Sequence, residues 1–233
     1  MTDLIATGHL TTADLAALAF LLLAWLGFGL LVEHAPARRP SVSGLMVGYR
    51  REWMRQFVTR DPRIFDAAIM DNLRQGTSFF ASATMIAIGG GVALIGDTER
   101  LLGLAEDLTL ASAPAAVWEA KIIVVILFLT NAFLKFVWSH RLFGYCAILM
   151  AAVPNDPADP LAYPRAEQAA DVNIFAARSF NRGLRAIYFA LGSLAWILGP
   201  IALALATLAT LTVLWRREFA SLSRKVLMKS TPK

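Results

Sequence analysis

Residues 15–32 read LAALAFLLLAWLGFGLLV, an apolar run without a single charged side chain. About 20 mostly apolar residues, rising about 1.5 Å each, cross the roughly 30 Å of bilayer hydrocarbon, so this run reads as a membrane-spanning helix. Three more runs lie further along: residues 76–95 (GTSFFASATMIAIGGGVALI), 122–138 and 186–215. One such run fits the core helix of a soluble protein, but four in one chain do not. Composition agrees. Hydrophobic residues make up 57% of the chain and charged residues 17%, below the soluble norm of about 25% charged. The expected fold class is all-α: a polytopic helical membrane protein with about four transmembrane helices, some extended into the cytoplasm, plus an interfacial amphipathic helix. The spans fall near 12–32, 76–95, 121–145 and 184–215, joined by cytoplasmic connections 33–75 and 146–183 within a single membrane domain, 1–233. No soluble domain or internal repeat is visible.

The net charge of +5 is read as topology rather than as nucleic-acid binding, because positive charge flanking apolar spans orients them during insertion. The first connection carries Arg38, Arg39, Arg50, Arg51, Arg55, Arg60, Arg63 and Arg74, while the residues ahead of the first span carry neither Lys nor Arg. This places the N-terminus outside and the first connection in the cytoplasm of a bacterial inner membrane. The second connection is acidic, with Asp97, Glu99, Glu106, Asp107 and Glu119 against Arg100 and Lys121, as suits an external loop. Arg141, Arg165, Arg178 and Arg182 return the third connection inside. A fourth full span then sends Arg216, Arg217, Arg224, Lys225, Lys229 and Lys233 outside, against the positive-inside bias. Gly199-Pro200 near the middle of the last run offers a way out as a re-entrant hairpin, but each limb is short and a mid-membrane break needs shelter. The favoured expectation is one long helix, tilted or kinked at the proline, with the side of the tail left open.

No basic n-region or small-residue cleavage site precedes Leu15, so the first helix reads as a retained span. Thr11 and Asp14 have capping-box spacing before it. In the first connection Tyr49, Trp53, Phe57 and Phe65 recur at roughly helical intervals among the arginines, the pattern of an amphipathic interfacial helix that anchors in headgroups or binds anions. Asp61-Pro62 marks a break, after which a helix starts and runs into the second span. Pro154, Pro157, Pro160 and Pro164 mark a compact loop or a short polyproline-like bridge.

Polar residues near the inner ends of the spans are the candidate functional groups, because ionisable side chains near hydrocarbon are costly and usually face protein or water. Asp71, Gln75, Ser78 and Ser82 follow one another at helical spacing, with Asn72 and Arg74 beside them. Asn131, Lys135, Trp138, Ser139, Arg141 and Tyr145 mark a strip on the third span. Arg178, Arg182 and Arg185 share a helix face with Asn181 and Tyr188 nearby. Together they read either as an electropositive vestibule or as an ordinary inter-helix network, with Lys135 close enough to the inner interface to snorkel. Gly89, Gly90 and Gly91, like Gly27, Gly29 and Gly192, permit close helix approach, and three consecutive glycines also offer a hinge, as do Gly199 and Pro200.

No metalloprotease, phosphate-loop, nucleophile-elbow or paired-cysteine motif occurs. Cys146 is the lone cysteine, and His9, His34 and His140 are scattered, so no catalytic, cofactor or metal residue is nominated and no cofactor is expected.

The stretches MDNLRQG (70–76), FLKFVWSHRLFGY (133–145), NIFAARSFNRGLRAIYFAL (173–191), WILGP (196–200) and LWRREFAS (214–221) resemble the bacterial and plant membrane proteins grouped as domain of unknown function 599. The resemblance covers most of the chain and implies that Asn72, Arg74, Gln75, Lys135, Trp138, Arg141, Tyr145, Asn181, Arg185 and Tyr188 form one recurring constellation. It implies no activity. Two functions remain: a homo-oligomeric ion channel or transporter with an electropositive cytoplasmic vestibule, and a non-catalytic structural or accessory subunit. The second binds anionic lipid headgroups or a larger membrane complex. The expected partners are the bilayer and further copies or subunits, with no nucleic acid.

Overall fold

The structure is a computed structural model that describes residues 10–36, 38–97, 103 and 114–229. The described residues contain helices and no strand. Helix α1 spans Thr12–Glu33, α2 Val42–Val58, α3 Ile64–Gly96, α4 Ala115–Ala151 and α5 Ala162–Ser193. A 3-10 turn, Leu194–Leu198, leads into α6, Pro200–Phe219, and α7, Leu222–Lys229. Three helices, α1, α3 and α4, are long and apolar enough to cross a membrane. In α3 only 6% of the apolar window is buried inside the protein. An apolar surface that large needs lipid or a partner to cover it.

Local chemistry explains the boundaries. Thr11 and Asp14 cap α1 reciprocally: the Thr11 amide and hydroxyl donate to Asp14 Oδ2 at 3.0 and 2.7 Å, and the Asp14 amide donates to Thr11 Oγ1 at 3.2 Å. Ser41 caps α2, accepting from the Gly44 amide at 3.0 Å while its hydroxyl donates to the Val32 carbonyl at 3.0 Å. Past the Asp61-Pro62 break, α3 runs without interruption from Ile64 through Gly89, Gly90 and Gly91, so those glycines form no hinge. Phe65, expected on the amphipathic helix, belongs to α3 because α2 ends at Val58 with Thr59 as its C-cap, and it is exposed. The proline-rich linker is a compact loop tightened by side-chain turns at Asp156 and Asp159. Pro164 is not part of it but sits in the first turn of α5, where a missing amide costs nothing.

The described residues divide into two units, within the ranges Met1–Leu31, Ala83–Ala132 and Leu184–Arg216 for the first and Val32–Ser82, Phe133–Gly183 and Arg217–Lys233 for the second. The core of the first includes Trp118 and Ile122 against Ile95, Ile126 and Ile197. Phe128 meets Trp25 edge-on at 5.2 Å and stacks on Phe189 at 6.3 Å. The core of the second joins Met54, Phe57 and Val58 of α2 and Met70 of α3 to Phe143, Cys146 and Met150 of α4. Ala162, Ala166, Ala169, Ala170 and Ala176 of α5 belong to the same core. Alanine at helical spacing brings the α5 backbone close to its neighbours. Beside it Phe80, Phe136 and Phe180 form a ring cluster with centroids 5.4–5.6 Å apart. Gly183 lies against Phe136 so closely that a β-carbon there would stand 2.7 Å from the ring.

The last apolar run corrects the expectation of one long helix over 184–215. Gly199 has φ 113° and ψ 174°, a conformation open essentially to glycine alone, and Pro200 begins a new helix. In the first unit a β-carbon on Gly192 would lie 2.9 Å from Thr210 Oγ1 and 3.8 Å from the Ala206 carbonyl. In a continuous helix residues 192 and 206 would stand about 21 Å apart, so the chain must reverse between them. The break is sheltered, as such a turn requires. Trp196 is buried and its Nε1 donates to Asp14 Oδ1 at 2.8 Å, while the Gly199 amide donates to the Trp196 carbonyl at 3.0 Å. In consequence the tail belongs to the second unit, with the Arg-rich first connection: Arg224 Nε donates to the Pro40 carbonyl at 2.9 Å, and α7 packs on α2.

Of the acidic second connection, Asp97 and Glu119 are described, and Glu99, Arg100, Glu106 and Asp107 lie outside the described residues, as do His9 and Lys233.

Candidate anion-binding site

The second unit holds a cavity of about 430 Å³ lined by Ser43, Met46 and Arg50 of α2, Arg178 and Asn181 of α5, and Arg217, Glu218, Ser221 and Ser223 at the α6–α7 junction. Its geometry begins at the first turn of α2. There the Ser43 amide and hydroxyl donate to Glu218 Oε2 and Oε1 at 3.1 and 3.0 Å, which satisfies both oxygens at the positive end of the helix. Asn181 Nδ2 donates to Ser43 Oγ at 3.3 Å. One carboxylate is therefore tied to backbone and hydroxyl donors, while three guanidinium groups line the same space. Arg50 is fixed by a hydrogen bond to the carbonyl oxygen of fully buried Asn173, whose amide nitrogen lies 3.6 Å from Cys146 Sγ. Burial lowers the Arg50 pKa, yet arginine starts so high that the charge persists at any physiological pH. Net charge +2 on the lining, planar donor forks and serine hydroxyls suit a phosphate or sulfate oxyanion.

A second cavity of about 430 Å³ in the same unit is lined by Phe57, Arg63, Ala67, Met70, Asp71, Arg74, Ala147, Met150, Ala151 and Asn155. The sequence-predicted polar residues thus divide. Arg178 and Asn181 enter the first cavity, and Asp71 and Arg74 enter the second. Arg182 instead pairs with Glu33, its Nε donating to Oε1 at 2.8 Å, and this bond raises its pKa. Lys135 is half-buried, and its backbone carbonyl accepts from Ser179 Oγ at 2.8 Å. Asn72 and Gln75 are exposed on α3, and Trp138, Arg141 and Tyr145 are exposed on α4, where Arg141 lies over and bonds to Tyr145. Asn131, Arg185 and Tyr188 fall in the first unit, with Arg185 buried. Gly91 approaches Ile126, whereas Gly89 and Gly90 are open.

Sequence reasoning did not nominate Ser43, Arg217, Glu218, Ser221 or Ser223 for a site. The signal in the sequence was Gly199-Pro200: a reversal centred there sets residue 181 at the same chain distance from the turn as residue 218. Among the described residues no group of three or more His, Cys, Asp or Glu side chains converges in a way that could hold a metal ion.

An all-helical fold with three span-length apolar helices and an arginine-lined cavity defines a membrane protein class by length and composition. The chain belongs to the family described as protein of unknown function, DUF599, whose model matches residues 16–223. No curated protein and no solved structure matches the chain.

Proposed function

We propose that this protein is a non-catalytic multi-pass subunit of a bacterial inner membrane that binds an anionic, phosphate-bearing headgroup on its cytoplasmic side, in the cavity lined by Arg50, Arg178 and Arg217. The N-terminus lies outside, and α2 rests at the membrane interface. The observation that carries this reading is the convergence of three guanidinium groups on one cavity whose only lining carboxylate, Glu218, is already held by Ser43. The hairpin supports the orientation, because it keeps Arg217, Arg224, Lys225 and Lys229 with the other basic connections and so satisfies the positive-inside bias. The test is retention of phosphatidylglycerol by the purified protein, with Arg178→Gln as the informative variant because Arg178 is exposed and surface substitutions are expected to change stability little. A charge-assisted hydrogen bond contributes about 1.5–3 kcal/mol, so the expected loss is roughly tenfold or more. Equal retention by both proteins counts against the site.

A homo-oligomeric channel or transporter is the second reading, favoured by the exposed polar residues Asn72, Gln75, Trp138, Arg141 and Tyr145 near the ends of span-length helices. A neighbouring copy would cover them. Ion flux from liposomes under separate cation and anion gradients, altered in Lys135→Ala or Arg141→Ala, would support this reading. No flux under any gradient would remove it.

A further inference from the structure

We propose that the second cavity, lined from α2, α3 and α4 within one unit, is a headgroup site for a zwitterionic phospholipid, one whose phosphate ester carries a primary ammonium. The inference is independent of the anion cavity above.

Three features point to this chemistry. The first is an uncommitted donor: Arg74 Nε is buried and has no hydrogen-bond partner among the described residues, an arrangement that leaves a charged group's donor unsatisfied until an acceptor arrives. Arg74 is one of the residues that line the cavity. The second is a fixed field. Arg63 donates to the carbonyls of Val153 and Pro154 at 2.9 Å each and of Val58 at 3.2 Å, and lies 4.4 Å over the Phe57 ring. It is held in place as a positive charge beside the cavity while Arg74 supplies the direct contact. The third is a carboxylate of opposite sign. Asp71 stands one turn before Arg74 on the same helix face and lines the same cavity. A purely anionic ligand would meet repulsion there, whereas a ligand joining phosphate to ammonium matches Arg74 and Asp71 together.

The remaining lining is apolar. Phe57, Met70, Ala67, Ala147 and Met150 offer a surface for glycerol and the first acyl carbons, and the two methionines adapt to an irregular chain. About 430 Å³ lies within the range of small-ligand pockets. The site lies on α3 just ahead of residue 76, where the apolar run begins, which is the level at which a headgroup meets its chains.

The experiment measures lipid retained by the full-length protein in detergent, using phosphatidylethanolamine, phosphatidylglycerol and soluble phosphoethanolamine as separate probes. In Arg178→Gln protein, whose anion cavity is disabled, phosphatidylethanolamine is expected to be retained roughly tenfold over phosphatidylglycerol. Asp71→Asn should erase that preference, and Arg74→Gln should lower retention of the zwitterionic lipid roughly tenfold. Ala147→Phe fills the apolar part while keeping both charges, and should also abolish retention, so the proposal stays testable if Arg74→Gln fails to fold. Arg178→Gln should leave phosphatidylethanolamine untouched, which separates this site from the anion cavity. Equal retention of the two lipids by Arg178→Gln protein overturns the assignment, as does indifference to both Asp71→Asn and Ala147→Phe. Phosphoethanolamine binding as tightly as the lipid would make the ligand a soluble phosphoester and overturn the lipid assignment.

Discussion

At the scale of single residues, a buried polar group with a defined partner carries specificity because losing that partner is expensive. Asn173 is fully buried and holds Arg50 at the anion cavity. Replacing it with leucine preserves volume but removes the acceptor, so Asn173→Leu should destabilise the protein by about 1.5–3 kcal/mol, read as a lowered midpoint in a detergent thermal melt. In the first unit Trp196→Phe strips the 2.8 Å donor from buried Asp14 and should cost about 1–3 kcal/mol in the same melt. A midpoint unchanged in both variants would mean that these bonds contribute nothing. Gly183→Ala drives a β-carbon into Phe136, and overpacking of this kind costs about 1–3 kcal/mol. None of the three roles was visible in composition, since an asparagine, a tryptophan and a glycine carry no mark of what will face them.

At the scale of elements, the decisive feature is the α5–α6 reversal. Gly199 adopts a backbone conformation that a side chain strains, so Gly199→Ala should destabilise by about 1–3 kcal/mol. Gly48, exposed on α2 with ordinary helical geometry, serves as the control: Gly48→Ala should be neutral or slightly stabilising in the same melt. Helix existence was readable from apolar runs and breakers: α1 from its capping box and uninterrupted leucines, α3 from the break at Asp61-Pro62. Direction was harder to read. Gly-Pro in an apolar run is compatible with a kink or a turn, and only the neighbours that shelter the turn, such as Asp14 under Trp196, decide between them. Both the triple glycine at 89–91 and Gly199-Pro200 read as hinges in the sequence; the helix continues through the first and breaks at the second, where proline removes an amide as well.

At the scale of the whole molecule, the hairpin makes a topological prediction. Arg38→Cys in the first connection and Met228→Cys in the tail are both exposed, and a membrane-impermeant maleimide should label them from the same side in intact spheroplasts. The native Cys146 is buried and should stay silent. Labelling from opposite faces would refute the reversal. The charge pattern, the span-length runs and the family were all legible from the sequence alone, because crossing hydrocarbon demands apolar length, insertion reads the Lys and Arg flanking each span, and both are one-dimensional properties. Tertiary structure alone decided which arginines share a cavity. Residues 50, 178 and 217 are far apart in the chain and sit in segments that the sequence shows only as basic. What unites them is the reversal at Gly199 together with the hydrogen bonds of Ser43 to Glu218, and pairings of that kind depend on packing in three dimensions rather than on any local pattern.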